Sequence, residues 1–234
     1  MALNNPALRK NILILGGAGF IGSHLCDALI KENNIICVDN FVSGFQRNID
    51  HLLKEPNFIF IKEDVNRLTD LNKYPEIDRF EIKFRGLQEI YNLACPTSPK
   101  EFEQRTIESV LANSIGVINA LHLAVRYKSK LLHVSSSVIY GKRDDGDPIM
   151  RENKYFALDP LTPRACYDEG KRFAETLIIT YKEKYKIDTK ILRVFTTYGP
   201  RMPLFQGHMI PDFIVAALDN QPLVIYGDEN FTQT

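Results

Sequence analysis

The stretch Gly16-Gly17-Ala18-Gly19-Phe20-Ile21-Gly22 constrains this chain more than any other. Before it runs "NILILG" (11–16), a short apolar segment that suits a buried parallel strand. After it comes "FIGSHLCDALIKE" (20–32), where Ile21, Leu25, Ala28 and Leu29 recur at helical spacing. Glycines 16, 19 and 22 fit GxxGxxG, and the run from Gly17 fits GxGxxG. Such glycines allow a tight turn and close approach of backbone to a pyrophosphate. The following helix offers free N–H groups and a partial positive charge at its start.

The pattern repeats along the chain. "NIICVDN" (34–40) predicts a second strand, "NFIFIKEDV" (57–65) contains a third, and "EIYNLAC" (89–95) predicts a fourth. Residues 106–127 predict a long helix through Ile107, Leu111, Ile115, Ile118 and Leu121. "KLLHVSSS" (130–137) and "TKILRVF" (189–195) predict two further strands, with a helix over 165–185 between them. Strands alternating with helices imply an α/β fold, a doubly wound parallel sheet of the Rossmann type. The charged stretch 66–88 reads as a surface excursion with one short helix.

Asp39 ends the second strand, 17 residues after Gly22. A carboxylate there can accept hydrogen bonds from both ribose hydroxyls of an adenosine and would repel a 2′-phosphate, which favours NAD over NADP. Asp64, after the third strand, reaches the adenine edge or is an ordinary loop carboxylate. "CYDEGKRFAETL" (166–177) sets Tyr167 and Lys171 four residues apart, on one face of a helix. Oxidising an alcohol requires a base for its proton. A phenol serves only if its anion is stabilised, and a nearby ammonium does that. A hydroxyl from the serine-ended fifth strand can hold the reacting oxygen.

Lys plus Arg and Asp plus Glu are each 29, so the chain lacks the basic excess of a nucleic-acid partner. No continuous apolar run approaches the ~20 residues of a membrane span, and the N-terminus lacks a signal-peptide core. Cys26, Cys37, Cys95 and Cys166 form no CxxC pair, so neither a metal site nor a disulfide framework is expected, and the reducing cytoplasm is the default location.

The pieces "GGAGFIGSHL", "VDNF", "NLACPTSP", "PRACYDEGKR", "TTYGPRM" and "PLVIYGD" resemble the extended short-chain dehydrogenases that modify nucleotide sugars, and within them the UDP-glucuronate decarboxylase branch. The glycine motif and YxxxK mark only the superfamily; "ACPTSP", "CYDEGKR" and "YGPRM" point to the branch. The resemblance implies that Gly16, Gly19, Phe20, Ile21 and Gly22 hold the pyrophosphate side of NAD. Asp39, Asn40, Asp64 and Val65 would lie on the adenosine side, with Leu93 and Ala94 completing the cofactor site and Asn113 binding there and ordering the strands and helix on that side. It implies Tyr167 as base, Lys171 as its tuning cation and ribose ligand, and Ser136 in place of a catalytic threonine. Pro96, Ser98, Ser137, Thr196 and Arg201 would touch a nucleotide sugar, a UDP-sugar by preference, in the segment Pro96 to Pro99 and the loop after "TTYGP". The helices 106–127 and 167–184 would pair in a homodimer.

Three departures from that pattern bear on function. Val138 stands where the branch carries glutamate, which counts against a 4,6-dehydratase and less against a decarboxylase, whose 4-keto acid loses carbon dioxide readily. Thr196 replaces a diphosphate-binding asparagine. The chain also stops at "YGDENFTQT", where the family continues for on the order of a hundred residues; in an ungapped register Gln233 replaces a substrate-binding arginine, and with two residues inserted that arginine would follow Thr234. The expected organisation is therefore a cofactor domain over 1–195 and a truncated substrate-domain remnant over 196–234. The expected function is NAD-dependent conversion of UDP-glucuronate to UDP-xylose. A nucleotide-sugar 4-epimerase and a catalytically impaired NAD-binding fragment are the alternatives.

Overall fold

The strands are apolar on both faces at the middle of the sheet because helices cover both faces there. β1 (Asn11–Leu15) and β2 (Asn34–Asp39) are buried at every residue. In the computed structural model, which describes residues 9–98, 104–141, 149–153 and 157–225, they join β3 (Phe58–Lys62), β4 (Glu89–Asn92), β5 (Lys130–Ser136) and β6 (Thr189–Val194). All pairings are parallel, in the order β3-β2-β1-β4-β5-β6. This is the doubly wound sheet that alternating elements predict. Its order reverses between β1 and β4, and ligands bind such sheets at that switch point, beyond the strands' carboxyl ends.

α1 (Phe20–Leu29) covers one face over Ile12, Ile14, Ile35 and Cys37. The other face, with Leu13, Leu15, Ile36, Val38, Ile90 and Leu131, lies under three helices. These are α3 (Thr106–Leu111), α4 (Val117–Tyr127) and α5 (Ala165–Tyr185). The helix expected over 106–127 is continuous in span but holds a five-residue π-helical turn, Ala112–Gly116. Gly116 is the reason the turn fits: a Cβ there would sit 2.8 Å from Cγ2 of Val65. This 22-residue span is also long and apolar enough to cross a membrane, with 56% of its apolar window buried within the fold.

Residues 66–88 correct the sequence reading. They are not a surface excursion: Leu68, Leu71, Ile77, Phe80, Ile82 and Leu87 are buried in the main core. The segment turns through 3₁₀ helices at Leu71–Lys73 and Pro75–Phe80 and the short α2 (Ile82–Arg85). Asn11 Nδ2 donates to the carbonyls of Phe80 and Gly86, and Ser129 Oγ to that of Leu87. Irregular backbone is thus buried with its polar groups paired. Tight turns scatter the apolar positions off any helical or strand period, which hid them in the sequence. Past β6, a loop leads to α6 (Met209–Leu218), of which only Pro211 is buried. The strands for which 34–40, 89–95 and 189–195 were expected end one to three residues sooner, and those residues become cleft wall.

Candidate active site

A cleft of about 930 Å³ opens at the switch point. Its floor is the turn after β1. Gly16 adopts φ +78°, and a Cβ on it would lie 2.8 Å from the Ala94 nitrogen, so only glycine lets β1 and β4 splay there. A Cβ on Gly22 would collide with the Gly16 carbonyl oxygen. Gly19 differs: its Cβ would meet only Gly16 O, at 3.3 Å, so its open side faces the cleft. That cradle, at the start of α1, fits a pyrophosphate.

Asp39 closes the adenosine end. It is 7% exposed, and its two oxygens accept from the backbone N–H groups of Ala18 (3.0 Å) and Phe41 (2.8 Å). Burial pushes its carboxyl up, and those two hydrogen bonds pull it down. A carboxylate has about four acceptor positions, so two remain for ribose hydroxyls. Asn40 donates to Asp64 at 3.3 Å, and Asp64 also accepts from the Asn66 backbone. Both line the cleft, with Phe20, Ile21, Val65, Leu93 and Ala94. The donor and acceptor set fits an adenine dinucleotide.

The other end gathers the reactive groups. β5 delivers Ser136 to the cleft, and α5 carries Tyr167 and Lys171 one turn apart beside it. Arg193 on β6 grips Glu175 through two hydrogen bonds, 3.1 and 2.8 Å, which fixes α5 against the sheet. Lys171 is 3% exposed; its Nζ donates to the Val134 carbonyl at 2.9 Å and lies 5.7 Å from the Tyr167 ring centroid. Burial holds the ammonium below its usual range, opposed by the charges of Cys95 and Glu175. Burial also pushes the Tyr167 phenol well above the usual tyrosine range, and Cys95 adds to this. The hydrogen bond with Ser136 and the charge of Arg164 pull it back. The site thus holds a protonated phenol that needs added positive charge before it acts as a base.

Pro96, Ser98, Ser137 and Thr196 line this same end. Ser98 Oγ spans the cleft to Gln206, 2.9 Å from its carbonyl and 2.7 Å from Oε1. Pro99 and Gln233 lie outside the described residues. Two expected residues are elsewhere. Asn113, in the π turn, does not line the cleft; its amide donates to the Ser109 carbonyl (2.9 Å) and Cys95 Sγ (3.1 Å), so it braces the cleft wall from behind. Arg201 also lies outside the cleft, where its Nη2 pairs with Asp27 of α1 at 2.6 Å. Its backbone is left-handed there, with φ 69°. Sequence reasoning missed Arg164, Cys95, Gln206 and His208 as cleft residues. Arg164 alone left a signal, three residues before Tyr167 and so near the same helical face.

Residues 12–232 match the family described as the NAD dependent epimerase/dehydratase family. The chain is 38% identical over 227 residues to UDP-glucuronic acid decarboxylase 1 of Xenopus tropicalis, covering 96% of this chain and 50% of that protein. It is 37% identical over 238 residues to UDP-glucuronic acid decarboxylase 4 of Arabidopsis thaliana, covering 100% and 49%. Among solved structures it resembles the UDP-glucuronic acid 4-epimerase of Bacillus cereus in complex with UDP-glucuronic acid and NAD (TM-score 0.76, 30% identity, 93% of this chain and 66% of that one). It also resembles the UDP-N-acetylglucosamine 4-epimerase of Methanobrevibacter ruminantium M1 (TM-score 0.78, 29% identity, 94% and 66%). The chain spans about half the length of these curated relatives.

Proposed function

Since the chain belongs to the NAD dependent epimerase/dehydratase family, we propose that it binds NAD in the switch-point cleft and acts on UDP-glucuronate, oxidising its 4-hydroxyl, releasing carbon dioxide and returning UDP-xylose. The observation that carries this reading is the Ser136–Tyr167–Lys171 cluster at one end of a cleft whose other end is the glycine cradle and Asp39. NAD, when bound, accepts and later returns a hydride. The chain's own groups do the rest. Ser136 holds the 4-oxygen, Tyr167 takes its proton, and the Lys171 charge favours the phenolate. The C5–carboxylate bond then breaks, its electron pair passes into the 4-keto group, and a proton from water adds at C5. Val138 lines the cleft beside Ser137. No carboxylate is required there, because a β-keto acid loses carbon dioxide without a base at C5.

The likeness to a UDP-glucuronic acid 4-epimerase supports a second reading, in which the keto sugar is turned over and reduced with its carboxylate intact. Incubation of the chain with NAD and carboxyl-labelled UDP-glucuronate separates the two. Labelled carbon dioxide supports the decarboxylase, and a labelled 4-epimer the epimerase. If neither forms while NADH still binds, the chain is a cofactor-binding fragment.

The same reading takes the protein as a cytoplasmic homodimer with neither membrane nor nucleic acid as partner. Its cysteines are free. Ile107 (70% exposed) and Val110 on α3, Ile115 in the π turn, and Phe173 and Ile179 on α5 leave an apolar face of the kind that helix pairs bury. Light scattering on the wild type and on Phe173→Glu tests the dimer: the expected result is a dimer that the substitution dissociates.

A further inference from the structure

Behind the reactive groups, on the sheet face that packs under α3 to α5, three polar side chains stand where the strand pattern calls for apolar ones. His133 on β5 is 1% exposed and follows Leu131 on the same face, two residues on. Both its ring nitrogens are buried without a hydrogen-bond partner among the described residues. Asn92 of β4 is its register partner, and its Nδ2 is likewise unpaired; so is Oγ of Ser135, the next residue on that face. Neighbouring donors and acceptors that do not bond one another, in a place where unpaired groups are costly, mark a site for ordered water.

Lys171 is the charged group that acts on this patch. Its Nζ carries three donors, and only the bond to Val134 is made within the described residues. Burial and the Lys171 charge together hold the His133 ring well below its ordinary pKa, so the ring is neutral, with one donor and one acceptor nitrogen. A water held by the ring can accept from the ammonium and donate to the acceptor nitrogen.

We propose that Asn92, His133 and Ser135, the last at the cleft wall, form a water site beside Lys171, and that His133 is a positioning residue that acts through Lys171 on the cofactor. The idea rests on the NAD reading only for its effect on binding; the water site itself belongs to the free protein. Two measurements on the full chain test it. In the free protein, nitrogen-resolved NMR of the His133 ring should show a ring that stays neutral through the range, about pH 6.5, in which an ordinary histidine titrates, with an Overhauser contact from its N–H to a long-lived water. A ring that titrates normally, or an N–H with no water contact, overturns the water site whether or not NADH binds. For the positioning role, NADH affinity is compared in His133→Leu, His133→Gln, Lys171→Met and the His133→Leu/Lys171→Met pair. Loss of a water-borne bond to an ammonium predicts roughly fivefold to tenfold weaker binding in His133→Leu, rescue by glutamine, and no further loss in the Lys171→Met background. Losses that add, or a His133→Leu variant that binds as the wild type does, sink the role. If His133→Leu fails to fold, His133→Gln and the ring spectrum still decide: a glutamine variant that retains neither affinity nor a water contact overturns the proposal.

Discussion

The two halves of the sheet are built by different means. In the β1–β3 half, β1 and β2 are buried throughout, and glycine lets backbone pack on backbone at the turn. Its one buried carboxylate, Asp39, is held by two backbone N–H groups. In the β4–β6 half only Thr189 of β6 is buried, and Ile214 and Leu218 of α6 are 48% and 77% exposed. Asn92, His133 and Ser135 keep unpaired polar atoms among the described residues. The cofactor half is a finished cradle whose geometry is set by sterics. The half that carries Ser136, Tyr167 and Lys171 is set by charge and hydrogen bonding, and it leaves apolar surface for something else to cover. Defects should therefore act differently in the two halves: through shape in the first, through chemistry in the second.

The sharpest contrast is at Tyr167. Tyr167→Phe removes only a hydroxyl, so folding and NADH binding should survive. Turnover should fall about 10² to 10⁴-fold, the usual yield of acid–base catalysis, read as product formed from UDP-glucuronate. Loss of NADH binding along with turnover would break the division into halves. Next come the glycines. Gly22→Ala puts a methyl against the Gly16 carbonyl and should cost about 3 kcal/mol, seen as a fall in Tm of roughly 6–12 °C. Gly19→Ala meets only the Gly16 carbonyl oxygen, at a tight 3.3 Å against the outright collision at Gly22, so it should lose much less Tm while NADH affinity drops at least about tenfold, because the methyl enters the ligand's space. Equal melting losses in the two variants would refute the cradle.

Much of the first half was legible in the sequence, because its physics is local. A strand, a glycine turn, a helix and a strand-end Asp39 announce themselves within about 30 residues. The Tyr167/Lys171 pair was legible for the same reason, as was the serine-ended strand beside it. What was lost depended on distant partners. Ile77 and Phe80 could not be recognised as core because 3₁₀ turns have no long period. Asn113 was expected to bind the cofactor and to order the strands and helix on its side; its bond to Cys95 fits the ordering role, but the π turn keeps it off the cleft. Arg201 was placed near a sugar, but its partner, Asp27, lies on a helix 174 residues earlier. The polar patch around His133 has no motif at all.

Asp39 tests the cradle's charge and gives it a pH dependence. Its carboxyl is raised by burial, so in the folded protein it protonates at higher pH than in the unfolded chain. The sign follows: above its folded pKa the buried carboxylate opposes folding, and that penalty fades as pH falls toward the unfolded value of about 3.9. Ribose binding runs the other way, since the ionised form is the double acceptor. NADH affinity should therefore weaken on acidification before an ordinary aspartate would protonate. Asp39→Asn should cost about tenfold in NADH affinity and flatten the acid limb of the binding curve. An unchanged limb would mean that another group controls binding.

The smallest effect belongs to Arg201. Its pair with Asp27 joins side chains 26% and 30% exposed, and Asp27 also takes His51 at 2.6 Å. A half-exposed ion pair contributes up to about 1 kcal/mol, so Arg201→Ala should lower Tm by roughly 2–4 °C at most. The cleft lies elsewhere, so NADH affinity should not move. UDP affinity decides between the observed geometry and the family-based expectation. If it too is unchanged, Arg201 only ties its loop to α1. If it falls tenfold with Tm intact, Arg201 leaves Asp27 for the nucleotide, and the β4–β6 half rearranges on binding in a way the cofactor half, locked by its glycines, does not.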